Sequence, residues 1–216
     1  MSLSKVLATA VGELGCTEWP PGSNCIEYNT EYYGREVSGD AYKWCMVFLW
    51  WVFRKAGESA AFFAGAKTAS CGTFLRWYRE QGLIVPVSQV RAGDIVVLNF
   101  SGTQETQHCG LVERVEGIYI TTIEGNTSEA GSQSNGGMVC RKTRYPSQIV
   151  GVCRPPYKEE EMQKPDDLTD HWAEKSCRKA ERKAIMRGYP DGTFRPDREV
   201  TRAELAVILD RLGLLD

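Results

Sequence analysis

Cys45 stands where a polar stretch, Ser38-Gly39-Asp40-Ala41-Tyr42-Lys43, gives way at Trp44 to an apolar run over residues 44–53. The pattern predicts a buried helix over 44–56, stopped at Gly57, with the sulfur at its N-terminus. Unpaired backbone N–H groups and the helix dipole favour thiolate over thiol there, as a nucleophilic cysteine requires. Core packing is the other common duty of a free cysteine, and Cys45 taken alone fits either. His108, the single histidine before His171, opens a strand-like segment, Thr106-Gln107-His108-Cys109-Gly110-Leu111-Val112. A cysteine and a histidine on separate elements, with a later polar group to orient the imidazole, form the arrangement that thiol catalysis needs. Cys109 is excluded as partner of its neighbour, because successive strand side chains point to opposite faces. Glu124, in Ile123-Glu124-Gly125-Asn126 at the expected end of the next strand, is the candidate third member. A solvated carboxylate at a turn is the plainer reading of the same residue.

Helices and a sheet must position these groups. Helices are expected over residues 4–14 with Ser4 as N-cap, over 44–56, and over 70–81 before Gly82. After Gly93-Asp94 come short β-branched segments, 95–100, 108–115, 118–124 and 138–142, separated by Gly, Ser, Asn and Asp. They predict a small antiparallel sheet or barrel, so the fold class is α+β. Near the N-terminus, Lys5 precedes an apolar stretch that ends in Leu14-Gly15-Cys16, the outline of a lipid-attachment site. Gly12 and Glu13 interrupt it where it should be most apolar, so an amphipathic helix and no export signal are expected. The longest apolar run is ten residues, short of the roughly 18 that span a bilayer. A net charge of −2 gives no surplus of positive charge for nucleic acid.

Charge divides the chain: about 18% of residues 1–156 are charged against about 43% of residues 157–216. Prolines and an acidic run between them read as a solvated linker, giving a first domain over 1–155, a linker over 156–166 and a second domain over 167–216. The second domain is expected to hold two helices, 172–186 and 201–212, joined by a loop rich in Gly, Pro and Asp. Eight cysteines suggest disulfides by number alone, but a chain of this size and apolar content needs no staples. A structural zinc site is disfavoured as well, since no two cysteines lie within four positions of each other and there are two histidines. No metal or cofactor is therefore expected.

The ordered set Tyr42-Lys43-Trp44-Cys45-Met46-Val47-Phe48, Ala92-Gly93-Asp94-Ile95-Val96, the His108 segment and Ile123-Glu124-Gly125-Asn126 resembles the CHAP family, related to NlpC/P60 enzymes. These are papain-like cell-wall amidases and endopeptidases common in phage endolysins and bacterial autolysins. The resemblance implies Cys45 as nucleophile, His108 as base, Glu124 as orienting group and Asn126 as further polar support. Cys109 departs from the aliphatic residue or threonine usual at its position, and no Asp-x-Asp calcium loop precedes Cys45.

The tail resembles one S-layer homology module, an all-helical unit. Leu168-Thr169-Asp170-His171-Trp172-Ala173, the loop Gly188 through Asp197, and Val200-Thr201-Arg202-Ala203-Glu204 carry the likeness. It implies binding of an acidic secondary cell-wall polymer, with Arg202, Asp191 and Trp172 as the polymer-facing residues. Thr201 and Glu204 form a capping box, whereas Arg202 has no such local duty and lies by a helix N-terminus suited to anions. A lone module gains strength only through self-association or through many repeats on the wall.

Together these features give the expectation of a peptidoglycan hydrolase, amidase or endopeptidase, that forms a thioester on Cys45. The Cys45 backbone N–H, helped by Tyr42, would face the oxyanion, and the enzyme would act on the wall after phage-induced lysis. The rival readings are a host autolysin, a non-catalytic wall-binding protein and a thiol protease acting on proteins.

Overall fold

Apolar residues at helical spacing in the first third of the chain, and β-branched residues alternating in the middle, separate into helices and one sheet. The structure, a computed structural model, describes residues 2–103, 105–130, 133–157, 167–189 and 193–215. It divides into two units, Met1–Lys158 and Glu159–Asp216.

In the first unit, α1 (Leu3–Gly12) is capped by Ser2, whose Oγ accepts from the Lys5 amide at 3.2 Å. The expected cap, Ser4, instead shares a hydrogen bond with Ser2 Oγ, and Glu58 fixes Ser2 by accepting its amide at 2.6 Å. Helix α2 (Glu27–Tyr33), too short and polar to be read from periodicity, sets Tyr28 against the rings of Trp44, Phe48 and Trp51. Helix α3 (Cys45–Lys55) is the expected buried helix, starting at the cysteine itself. Helix α4 (Cys71–Glu80) begins after Ser70, whose Oγ accepts from the Thr73 amide at 3.1 Å.

The strands are β1 (Ile84–Val85), β2 (Ile95–Leu98), β3 (His108–Glu116), β4 (Tyr119–Thr127), β5 (Met138–Arg144) and β6 (Ile149–Cys153). They form one sheet in the order β1-β6-β2-β3-β4-β5, with antiparallel neighbours throughout. Two strands, β1 and β6, were not expected. In addition β4 continues to Thr127, so Glu124 lies within a strand and not at its end. Alternation sorts the sheet's residues into two layers. Ile95, Val97, Cys109, Leu111 and Ile123 join the helices in the main core, while Val96, Leu98, Val112 and Ile120 form a smaller cluster on the other face. All eight cysteines are free thiols.

Helix α3 lies directly on β4 because residue 125 has no side chain. A Cβ on Gly125 would sit 2.6 Å from Phe48 Cβ and 2.8 Å from the Trp44 ring.

In the second unit, α5 (Glu174–Arg182) and α6 (Arg202–Arg211) are each shorter than the sequence pattern suggests. Asp167 ties down the loop between them, accepting from the amides of Phe194 and Arg195 at 2.8 and 2.5 Å. Thr201 and Glu204 close a capping box at the start of α6. Among the described residues no helix is long and apolar enough to cross a membrane.

Because the contact at Gly125 is backbone against ring, neither side can yield cheaply. Gly125→Ala is expected to destabilise the first unit by about 1–3 kcal/mol, the usual cost of overpacking. Urea unfolding followed by tryptophan fluorescence checks this, since Trp19, Trp44, Trp50, Trp51 and Trp77 all report on that unit.

Candidate active site

The first helical residue of α3 presents a sulfur, and the first residue of β3 presents an imidazole to it. Cys45 is 6% exposed and His108 is fully buried. His108 Nε2 meets Glu124 Oε2 at 3.0 Å, while Nδ1 is buried with no hydrogen-bond partner, which leaves it for Cys45. Glu124 is fully buried too. Its Oε1 accepts from Thr122 Oγ1 at 2.5 Å and from Arg144 Nε at 2.7 Å, and its Oε2 accepts from Arg144 Nη2 at 2.5 Å. Arg144 is itself buried, stacks over the Phe100 ring at 4.8 Å and donates to Gln133 at 2.8 Å.

Gly110 makes room for this network. A Cβ there would lie 2.7 Å from Glu124 Cγ and 3.1 Å from Thr122 Cβ. With no side chain at 110, Glu124 leans across β3 toward His108, two residues along on the same face.

Burial shapes the charges. It would push the Glu124 carboxyl up, but the hydrogen bonds from Arg144 and His108 overcome it and hold the group at about 2. Burial pulls His108 down, and its interactions with Cys45 and Glu124 reverse this, bringing it to about 9. For Cys45, hydrogen bonds from Cys109 and then Cys71 lower the thiol well below its ordinary value; burial opposes them and the charge of His108 adds to them. Burial and then Cys45 push the Cys109 thiol well up, and at Cys71 the lowering bond from Cys109 is outweighed by the neighbouring Cys45 and burial. The lowered Cys45 and the raised His108 both favour the thiolate–imidazolium form of the pair.

Cys109, where the family resemblance expects an aliphatic residue or threonine, has its sulfur in a group with those of Cys45 and Cys71, all within 4.8 Å. Cys45 opens into a cleft of about 710 Å³, lined among others by Lys43, Cys71, Phe100, Gln107 and Gln133. Tyr42 is not in that lining; its ring packs edge-on against Tyr33 at 5.0 Å. Asn126 also stands apart from the His108–Glu124 pair. It has a left-handed backbone (φ 56°), its amide nitrogen donates to Asn24 and Asn135, and its oxygen accepts from the Gly137 amide. It holds the β4 irregularity in place.

In the second unit Arg202 is exposed at the first turn of α6, and Trp172 is 90% exposed. Asp191 lies outside the described residues. A groove of about 430 Å³ runs beside α6, lined by Tyr189, Arg195, Arg198, Val207 and Arg211 among others, and Arg202 is not part of it. Arg195 stacks on Tyr189 at 4.0 Å.

Comparison with known families agrees with this division. Residues 37–126 match the CHAP domain, a span that holds Cys45, His108 and Glu124, and residues 166–206 match the S-layer homology domain. The chain carries a CHAP domain followed by an S-layer homology domain. Two curated relatives from Acetivibrio thermocellus share the second region. Cell surface glycoprotein 1 is 48% identical over 44 residues, covering 20% of this chain and 2% of the relative. The Cellulosome-anchoring protein is 42% identical over 55 residues, covering 23% and 12%. This chain thus spans a small part of either protein. Among solved structures, the wild-type endolysin LysIME-EF1 aligns over 74% of this chain and 66% of its own, with 15% identity and a TM-score of 0.43.

In the first unit, Arg144, Thr122, Gly110 and Cys71 are the site residues that sequence reading passes over. Arg144 was the most accessible of them: its strand was predicted to stop two residues short, which hid an arginine inside the sheet. Removing it tests what holds Glu124. The carboxylate's contribution to stability is complete above its ordinary value of 4.5 and is lost as pH falls toward about 2. Arg144→Met is expected to cost about 3–5 kcal/mol at neutral pH, as breaking a buried pair does. It should also move the onset of acid unfolding to higher pH, as read by fluorescence along a pH titration.

Proposed function

We propose that this protein is a cysteine-dependent peptidoglycan hydrolase that its S-layer homology domain holds at the cell wall. The observation that carries the reading is the helix-start sulfur of Cys45, its thiol lowered well below its ordinary value, near a buried imidazole whose Nε2 is held by Glu124. The match of residues 37–126 to the CHAP domain supports it.

In the proposed reaction the Cys45 thiolate attacks the carbonyl carbon of a wall amide, and the C–O electron pair moves to oxygen. The Cys45 backbone N–H, which has no partner within the helix, faces the oxyanion. His108 gives its proton to the departing amine as the C–N bond breaks, leaving a thioester. Water, deprotonated by His108, then attacks the thioester, and the thiolate leaves. Glu124 keeps the ring aimed throughout. Whether the amide joins muramic acid to L-alanine or lies in the stem or cross-bridge peptide sets amidase against endopeptidase, and mass spectrometry of products released from purified walls separates the two.

For the second domain, an acidic secondary wall polymer is the proposed ligand. The similarity to a protein named as cellulosome-anchoring supports an anchoring role. Arg202 is the proposed anion holder, since Thr201 and Glu204 are occupied with capping.

Cys45→Ala is expected to abolish clearing of wall suspensions. In the wild type, clearing should fall as pH rises through about 9, where His108 loses the proton that it must donate. A Cys45→Ala protein that clears walls at near wild-type rate would overturn the assignment. Arg202→Ala should reduce co-sedimentation with walls that carry the polymer and leave binding to stripped walls unchanged. Equal binding of both proteins to polymer-bearing walls would remove Arg202 from the site.

A further inference from the structure

The sulfurs of Cys45, Cys71 and Cys109 come from the start of α3, the start of α4 and the second residue of β3, and all lie within 4.8 Å of one another. All three residues are buried. Thioester chemistry uses one sulfur, so two remain to be explained.

Converging thiols are soft donors, suited to zinc and similar ions over magnesium or calcium. Size sharpens this. A Zn–S bond of about 2.3 Å in a tetrahedral site sets sulfurs about 3.8 Å apart. Cys45 and Cys71 already stand at 3.9 Å. The third sulfur need move no more than about an ångström to complete such a triangle.

Cys45 and Cys71 also line the open cleft, from which a water can supply the fourth ligand of a tetrahedral ion. Local spacing conceals the site, because each of the three cysteines belongs to a different element and none is paired in sequence.

We propose that Cys45, Cys71 and Cys109 bind a soft divalent cation of zinc type, and that the bound ion blocks the nucleophile. On binding, metal–sulfur bonds replace whatever protons the three thiols carry, and those protons pass to solvent. No electron is transferred. Metal binding stands without the hydrolase reading, whereas the blockade rests on it.

The test uses the full chain, reduced and stripped with chelator, titrated with Co²⁺ as an optical probe and then with Zn²⁺. One equivalent of Co²⁺ is expected to give thiolate-to-metal charge-transfer absorption that Zn²⁺ displaces. X-ray absorption at the zinc edge should count three sulfurs. Cys71→Ser and Cys109→Ser should each weaken binding by at least about tenfold. Cys16→Ser, which removes an exposed thiol outside the triangle, should bind as the wild type does. Should Cys109→Ser fail to fold, the sulfur count on the wild type still decides. Absence of charge transfer at one equivalent, fewer than three sulfurs, or unchanged affinity in Cys71→Ser overturns the site. Wall clearing is then followed with and without the bound equivalent. Loss on loading and recovery with chelator supports the blockade, and clearing that ignores the bound ion overturns it. Metal binding by a protein that never clears walls keeps the site and overturns the hydrolase reading instead.

Discussion

A carboxylate that has lost all contact with water is the constraint on which the first unit turns. Glu124 remains ionised there because Arg144 reaches it with two hydrogen bonds, Thr122 adds a third and His108 a fourth. An unpaired charge in that position would be prohibitive, so the network must be assembled whole. Its assembly dictates local sequence: glycine at 110 so that the carboxylate can lean over, and a buried arginine at the end of β5. The charge of His108 and the thiolate of Cys45 then follow from where the carboxylate sits.

Much of this was legible in the sequence, and the reasons differ by element. Helix α3 was readable because its apolar run is long and begins at a sharp polar boundary. The strands at 95, 108 and 138 were readable from β-branched residues between turn residues. Cys45, His108 and Glu124 could be named because thiol chemistry needs those residue types on separate elements, whatever their chain order. Asn126, named with them, is bound instead to Asn24, Asn135 and Gly137, since the irregularity in β4 turns it away. The sulfur triangle and Arg144 were hidden for one shared reason. Each is made by elements distant in sequence, and periodicity reports which face a residue takes without reporting what faces it.

The second unit carries its charge differently. Its ion pairs lie at the surface, as between Arg178 and Glu174 or Arg198 and Glu204, where each contributes little to stability. The pair buried in the first unit is fixed and specific, while the arginines around the groove by α6 remain in water. That contrast sets a rigid buried network in the first unit against a solvated, cationic surface in the second.

His108 and Cys109 are consecutive on β3, so the imidazole is bonded to the Glu124 carboxylate while the neighbouring sulfur joins those of Cys45 and Cys71. A slip of β3 by a single residue against its neighbours would exchange them, putting a thiol beside the Glu124 carboxylate and an imidazole among the sulfurs. Strand register is thus chemical information in this protein. Insertions or deletions in the turn before residue 108 leave that information intact, whereas one inside β3 parts the imidazole from its carboxylate in a single step, however well the remaining sheet is packed.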